Sequence, residues 1–230
     1  MFLDRLFRRA RGITDVLDVA CGTFSIDLGL VRRGYRVVGR DLSAPMIRVA
    51  HQALRAHHAT ADVKQADMRT LRLRQRFDAI LCLGTAFNYL VEPGDVSRAL
   101  RTFRRLLRPG GILVVDLTNF AAWIDRDPMN ASAEIDVRGA GGSRIAVFSF
   151  NEQLPGMKVH IARFLTVVQK GKRIDLQLDE APLKVWRKED LAHTLRRMGF
   201  RPFEWWGDLT PGARYIRKRS PRLVSVAIRA

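Results

Sequence analysis

Short apolar runs alternate with stretches of helically spaced apolar residues along the first 120 positions of the chain. Residues 16–20 form an apolar run ending at Cys21-Gly22 and predict a first strand. Residues 24–33 have apolar positions at helical spacing and stop at Gly34. A second strand is predicted over 35–39, and Ser43 is a good N-cap for a helix reaching about Ala56. Residues 63–65 form a weak third strand and residues 77–83 a fourth. A helix over 96–107 is closed by the turn Arg108-Pro109-Gly110-Gly111, and residues 112–117 form a fifth strand. Strands alternating with helices at this spacing imply right-handed crossovers and a parallel sheet.

The period then changes from the helical to the two-residue repeat. From about Glu134 to Pro182 the chain reads as strands separated by glycine turns. Residues 144–150, 158–169 and 172–178 alternate apolar and polar, and Gln169-Lys170-Gly171-Lys172 has the composition of a hairpin turn. A helix over 188–198 follows, stopped by Gly199, and residues 200–206 and 223–228 read as a closing strand pair. The expectation is one domain over 1–230. It consists of a core over 1–120, an antiparallel insertion over about 134–182, and a closing helix and strand pair over 183–230.

Composition narrows the class. Hydrophobic residues make up 47% of the chain and charged residues 27%, as in ordinary globular proteins. No apolar run approaches the roughly 18 residues of a membrane span. The N-terminal residues lack the apolar core of a signal peptide. The two cysteines, Cys21 and Cys82, fall at the ends of predicted buried strands. They suggest neither a disulfide framework nor a zinc site, and a reducing cytoplasm is expected. The formal charge is +17. Basic residues cluster at Arg101, Arg104, Arg105 and Arg108 on one predicted helix, and at Arg214, Arg217, Lys218, Arg219 and Arg222 near the C-terminus. These are either an attraction for a polyanion or a solvated arginine-rich surface. No RNA-binding signature and no interleaved aromatics accompany them.

The candidate chemistry begins at Leu17-Asp18-Val19-Ala20-Cys21-Gly22-Thr23, where a strand ends in a tight turn that opens a helix. Gly22 lets the backbone approach a ligand, and the helix start offers free N–H groups. Asp41 follows Gly22 by nineteen positions, just past the second strand, where a carboxylate can accept hydrogen bonds from ribose hydroxyls. Dinucleotides require glycines at G-x-G-x-x-G spacing. Positions 20, 24 and 27 are instead Ala, Phe and Asp, and Asp27 would repel a pyrophosphate. A nucleoside ligand with a positive centre suits the site better, and Asp18 is placed to receive an ammonium group.

At these residues the chain resembles the class I S-adenosylmethionine-dependent methyltransferases. VLDVACGT is similar to their first motif, VVGRDLSAPMIRVA to the second, QADMRTL to the third, FDAILCLGTAFNYL to the fourth and LRPGGILVVDL to the fifth. The whole is similar to small-molecule members, the amino-sugar and glycine N-methyltransferase-like enzymes. The resemblance implies an α/β fold with a Rossmann-like, seven-stranded, mostly parallel sheet flanked by helices, and an antiparallel β insertion after strand five. It implies S-adenosylmethionine as cofactor, held by Asp18, Ala20, Cys21, Gly22, Thr23, Asp41 and Leu42. Asp67 and Met68 would lie at the adenine, and Leu83 and Gly84 beside the methyl group.

Two departures bear on the pocket. The family usually has a glycine where this chain has Phe24, so the ring is expected either to narrow the methionine end or to stack outward as a lid. The segment before the first strand is short, so residues 1–11 either form a minimal cap or leave the pocket open.

No catalytic base stands out; Tyr89, His160 and Arg163 are weak candidates for meeting the acceptor. Asn88 faces either substrate or a helix, and Trp123, Trp205 and Trp206 are expected in the core or an interface. The expected reaction is N- or O-methylation of a small-molecule acceptor, with a homodimer formed through the β insertion. The alternatives are RNA methylation using the basic surface, or a binding protein that keeps the fold without catalysis. After the fourth strand the chain reads Leu83-Gly84-Thr85-Ala86 rather than N-P-P-Y or D-P-P-Y, which disfavours methylation of exocyclic base amines.

Overall fold

The computed structural model describes residues 1–10, 12–125, 134–140, 143–153 and 159–230. The elements in chain order are α1 (Phe2–Ala10), β1 (Asp15–Asp18), α2 (Ser25–Val31), β2 (Arg36–Asp41), α3 (Ala44–Ala56), β3 (Asp62–Gln65), β4 (Phe77–Cys82), a 3-10 turn (Ala86–Tyr89), α4 (Asp95–Leu106), β5 (Leu107–Thr118) and α5 (Phe120–Ile124). Then come β6 (Glu134–Ala140), β7 (Ser143–Gln153), β8 (Val159–Lys170), β9 (Arg173–Lys184), α6 (Lys188–Arg197), β10 (Phe200–Trp206) and β11 (Arg222–Arg229).

Seven strands form one sheet in the order β10-β11-β5-β4-β1-β2-β3. β1, β2, β3, β4 and β5 pair in parallel, and β11 and β10 close the edge antiparallel. The strand order reverses between β1 and β4, and in such sheets ligands bind at the carboxyl ends of the strands beside that reversal. Both faces of the sheet are covered. Leu17, Ile80, Leu113 and Val115 pack with α4 and α6 on one side. Val16, Ala79, Leu81 and Val114 pack with α1, α2 and α3 on the other. All four residues of β1 are buried, Asp15 and Asp18 included, as in a parallel strand covered on both faces.

Ser43 caps α3 as expected, its Oγ accepting from the Met46 N–H at 3.4 Å. The turn expected at 108–111 lies inside β5. Phe77 pairs with Leu107 and Ala79 with Ile112, so the four intervening residues bulge opposite Asp78. Gly111 has no room for a Cβ, which would stand 2.9 Å from the Asp78 and Arg108 carbonyls.

The N-terminal residues form α1, an element the strand and helix pattern did not predict. Phe2, Leu3, Leu6 and Phe7 are its buried face. Phe2 meets Trp206 edge-on at 5.4 Å, Phe7 meets Tyr35 at 5.3 Å, and Tyr35 donates to Asp4 at 3.0 Å.

The insertion is a separate four-stranded antiparallel sheet, β6-β7-β8-β9. β9 runs to Lys184, past the predicted end at Leu178, with Pro182 opposite Ile161. β9 is an edge strand, the position where a missing N–H is tolerated. Ile174, Leu176 and Leu178 on β9 are 60–68% exposed. Among the described residues, no helix is long and apolar enough to cross a membrane.

Candidate functional site

A cavity of about 760 Å³ opens at the carboxyl ends of β1, β2 and β4. The turn after β1 makes its wall. Val19 N–H still donates to the Leu81 carbonyl and Cys21 N–H to the Arg40 carbonyl, so the turn is anchored to both neighbouring strands. Gly22 has φ +52° and Phe24 has φ +65°, the left-handed region that costs an ordinary residue about 1–2 kcal/mol. Asp41 ties the turn to the next helix. It accepts from Gly22 N–H at 2.8 Å through Oδ2 and from Ser43 N–H at 2.8 Å through Oδ1. The carboxylate is thus oriented before any ligand arrives.

Every residue expected at the cofactor, from Asp18 through Asp41 and Asp67 to Gly84, lines this cavity. Asp67 is clamped by Arg69, whose Nη2 lies 2.6 Å from Oδ2 while Nη1 reaches Asp95 at 2.8 Å. The guanidinium holds the Asp67 carboxyl below its ordinary range. On the far wall Gly84 N–H donates to Asp116 Oδ2 at 3.0 Å. Asp116 is buried and gripped by Arg222, Nε to Oδ1 at 2.8 Å and Nη2 to Oδ2 at 2.6 Å. The remaining Arg222 nitrogen, Nη1, donates to Thr85 Oγ1 and Thr118 Oγ1. This arginine therefore fixes the Gly84-Thr85 turn, although it lies more than a hundred positions away in the chain.

Asp18 and Asp27 stand together at the first-turn end of the cavity, both almost fully buried. Asp18 accepts from Ala20 N–H at 2.9 Å, while both Asp27 oxygens lack a hydrogen-bond partner among the described residues. Burial, reinforced by the negative charge of Asp41, pushes the Asp18 carboxyl up to about 7. Burial and Asp18 push Asp27 well above the usual carboxylate range. Sequence reading treated Asp27 only as a repulsive group at a helix start. Its position two residues into α2 was the available signal that it faces the turn.

Several expectations are corrected. The Phe24 ring neither narrows the cavity nor covers it; it is fully buried in the core. Its Cε2 and the Cys21 Sγ would stand 2.8 and 2.9 Å from a Cβ at Gly39, so the chain has a glycine in β2 where the ring lies. No residue of α1 lines the cavity, so α1 is a sheet-packing helix rather than a cap. His160 is buried and stacked on Phe120 at 4.4 Å, and Arg163 pairs with Glu180 at 2.6 Å; neither lines the cavity. Tyr89 does line it and is 53% exposed. Asn88 is buried and donates to the Lys184 carbonyl at 2.8 Å, a packing role. Trp205 and Trp206 pack against the core, and the Trp123 side chain lies outside the described residues.

Some residues of the basic clusters are engaged in contacts within the chain. Arg108 lies in β5 rather than on α4 and bridges Asp78 and Asp15 at 2.5 and 3.1 Å. Arg105 donates to the Leu71 carbonyl, and Arg217 lies 3.6 Å from Asp125. Cys21 and Cys82 are free and buried. Among the described residues, no cluster of three or more His, Cys, Asp or Glu could hold a metal.

The comparisons agree with this architecture. A family model described as a methyltransferase domain matches residues 16–111. The chain is 29% identical over 215 residues to a glycine/sarcosine/dimethylglycine N-methyltransferase of Actinopolyspora halophila, a match spanning 90% of this chain and 34% of that protein. The chain spans less than half the length of the first curated relatives it matches. Among solved structures it superposes on the sugar N-methyltransferase KedS8 from Streptoalloteichus with TM-score 0.77 and 26% identity, over 96% of this chain and 83% of that one. It also superposes on CalS10 of Micromonospora echinaspora, an amino pentose methyltransferase solved with S-adenosylmethionine bound, with TM-score 0.77 and 25% identity over 99% and 88%.

Fold and cavity are thus those of a methyltransferase domain, which the family model matches over residues 16–111. Its cofactor is S-adenosylmethionine.

Proposed function

We propose that the protein transfers the methyl group of S-adenosylmethionine to an amine nitrogen, or less readily a hydroxyl oxygen, of a small-molecule acceptor. The observation that carries this reading is the cavity itself. At one end Asp41 is pre-oriented by two backbone N–H groups, and at the other two buried acids await a cation. The N-methyltransferase relatives favour nitrogen.

In this reading Asp41 accepts from the ribose hydroxyls and Gly22 admits the ligand to the backbone. Asp67 and Met68 border the adenine, while Ala20, Cys21, Thr23 and Leu42 complete the walls. Asp18 faces the ammonium. Leu83 and Gly84, braced by Asp116 and Arg222, border the methyl group. The bound cofactor supplies an electrophilic sulfonium methyl. The residues contribute mainly by holding donor and acceptor in line and by excluding water. An amine that arrives protonated must lose its proton first. Of the three weak candidates for meeting the acceptor, Tyr89 alone lines the cavity.

The insertion sheet supports a homodimer. Leu176 and Leu178 share a face with Val167 and Leu165 across the β8–β9 register. Such an exposed apolar face suits stacking against a second copy better than contact with a charged polymer. The internal pairing of Arg105, Arg108 and Arg222 weighs against RNA as acceptor. A cytoplasmic location fits the two free, buried thiols.

Calorimetry with S-adenosylmethionine and S-adenosylhomocysteine tests the cofactor reading, and no binding at millimolar ligand would sink it. Methyl transfer assayed against glycine, sarcosine, amino sugars and tRNA separates the acceptor classes.

A further inference from the structure

Two carboxyls buried side by side without a cation resist ionising together, because each charge raises the cost of the other where little water surrounds them. Asp18 and Asp27 are in that situation, at 2% and 1% exposure. Asp27 alone of the acids lining the cavity has neither oxygen held by a neighbouring residue's N–H group or by a cation, its side-chain neighbour being Asp18. The ionisable groups around the pair do not relieve it. Asp41 at the end of β2 adds negative charge, and the Cys21 and Cys82 thiols are pushed up by burial and stay neutral. Among the described residues, no lysine, arginine or histidine forms an ion pair with either acid. A buried, uncompensated acid pair facing a cavity is a site for a small cation that brings its own charge and donors.

We infer that Asp27 is a second acid of the cofactor subsite, acting with Asp18 to hold the ammonium group of the amino-acid end, and that the incoming ammonium displaces the proton the two carboxyls share. This rests on the S-adenosylmethionine reading above. It assigns Asp27 a role in recognising the cationic end of the ligand rather than its nucleoside. The exchange is balanced: the ammonium keeps its three protons and donates them to carboxylate oxygens, and the displaced proton passes to solvent. Binding is then linked to proton release, so affinity rises with pH while the pair is still protonated.

The test uses the full chain and S-adenosylhomocysteine, titrated calorimetrically in buffers of different ionisation enthalpy from about pH 6 to about pH 8, the interval in which a shared proton of raised affinity leaves. The wild type should release up to about one proton, with affinity rising by up to about tenfold per pH unit at the acid end. In Asp27→Asn the proton release and the pH slope should both be smaller than in the wild type, because the neutral amide no longer helps the pair hold a proton and only Asp18, still raised by burial and Asp41, can release one. The probe 5′-methylthioadenosine lacks the amino-acid end, so its binding should release no proton and should be insensitive to Asp27→Asn. Asp27→Ser repeats the test with a smaller side chain should the amide disturb folding.

Failure of the wild type to bind S-adenosylhomocysteine overturns the cofactor reading and this inference with it. Binding without proton release, equal release in Asp27→Asn, or equal release with 5′-methylthioadenosine overturns this inference alone.

Discussion

Phe24 offers a test in which the usual order of two substitutions should invert. The ring is fully buried, so Phe24→Ala should cost about 3–5 kcal/mol through lost packing and the cavity left behind. Glycine normally costs about 0.5–1 kcal/mol more than alanine through the entropy of the unfolded chain. Here the backbone stands at φ +65°, and releasing the left-handed strain returns about 1–2 kcal/mol that alanine cannot recover. Phe24→Gly should therefore be more stable than Phe24→Ala by up to about 1 kcal/mol. In a domain of this size each kcal/mol moves the melting temperature by about 2–4 °C, so Phe24→Ala should melt about 10 °C low.

Gly39→Ala supplies the second arm, since its Cβ would meet Phe24 Cε2 at 2.8 Å. In the wild type it should cost about 1–3 kcal/mol by overpacking. In the Phe24→Ala background part of that cost should disappear, leaving a coupling of about 0.5–1.5 kcal/mol. It should not disappear entirely, because Cys21 Sγ remains 2.9 Å from the same Cβ. Urea unfolding of the four proteins of the cycle measures the coupling, and thermal melts of both Phe24 variants measure the order. S-adenosylhomocysteine titration should show affinities unchanged within about threefold, a difference of less than 1 kcal/mol. Phe24→Ala more stable than Phe24→Gly, an additive cycle, or a large change in affinity would refute the placement of the ring in the core.

Other expectations follow from the same contacts. Arg222→Met leaves Asp116 buried without its cation and should cost about 3–5 kcal/mol in urea unfolding; Asp116→Asn/Arg222→Met should recover much of that loss. Asp41→Ala removes a charged acceptor from two backbone N–H groups and from the ribose, and should weaken S-adenosylhomocysteine binding by about 10–100-fold. Stability of the ligand-free protein should fall as pH rises from about 4 to about 7 on account of Asp18, because the folded state binds its proton more tightly than the unfolded one. Asp27→Asn removes a second raised carboxyl and should raise Tm at pH 8. Below about pH 4 the sign reverses, since arginine partners hold Asp15, Asp67 and Asp125 below their ordinary range and acid then removes stabilisation. Leu176→Asp with Leu178→Asp should convert a dimer to monomer by light scattering, with the sheet signal in circular dichroism retained.

The legible parts of this chain are those whose determinants lie close together in sequence. The strands β4 and β5 read as apolar runs because both sheet faces are covered. The turn at Gly22 and the acid at Asp41 sit at fixed offsets because one crossover helix separates them. Their order placed all the expected lining residues around one cavity. The α1 helix was less legible, although Phe2, Leu3, Leu6 and Phe7 have helical spacing, because nine residues supply little pattern without the sheet they pack on. β9 is predicted only to Leu178, where the alternation stops at Asp179-Glu180, and the sheet-edge position that lets it continue past Pro182 has no local signal.

What the sequence by itself determined is the class of fold and the turn and acid, Gly22 and Asp41, that wall the cavity, since local propensity and spacing suffice for both. Tertiary structure alone decided the direction of each side chain and the partners brought from afar. It sent Phe24 into the core, where a left-handed backbone turns the ring away from the cavity. It withdrew His160 and Arg163 from the cavity, stacking the first on Phe120 of α5 and pairing the second with Glu180 of β9. It brought Arg222 across to Asp116, a pairing with no local sequence signal because sheet order rather than chain order makes β11 the neighbour of β5. It also set Asp27 against Asp18. That contact depends on how α2 leaves the turn, and burial there converts an ordinary helix-start acid into a group whose charge needs a ligand.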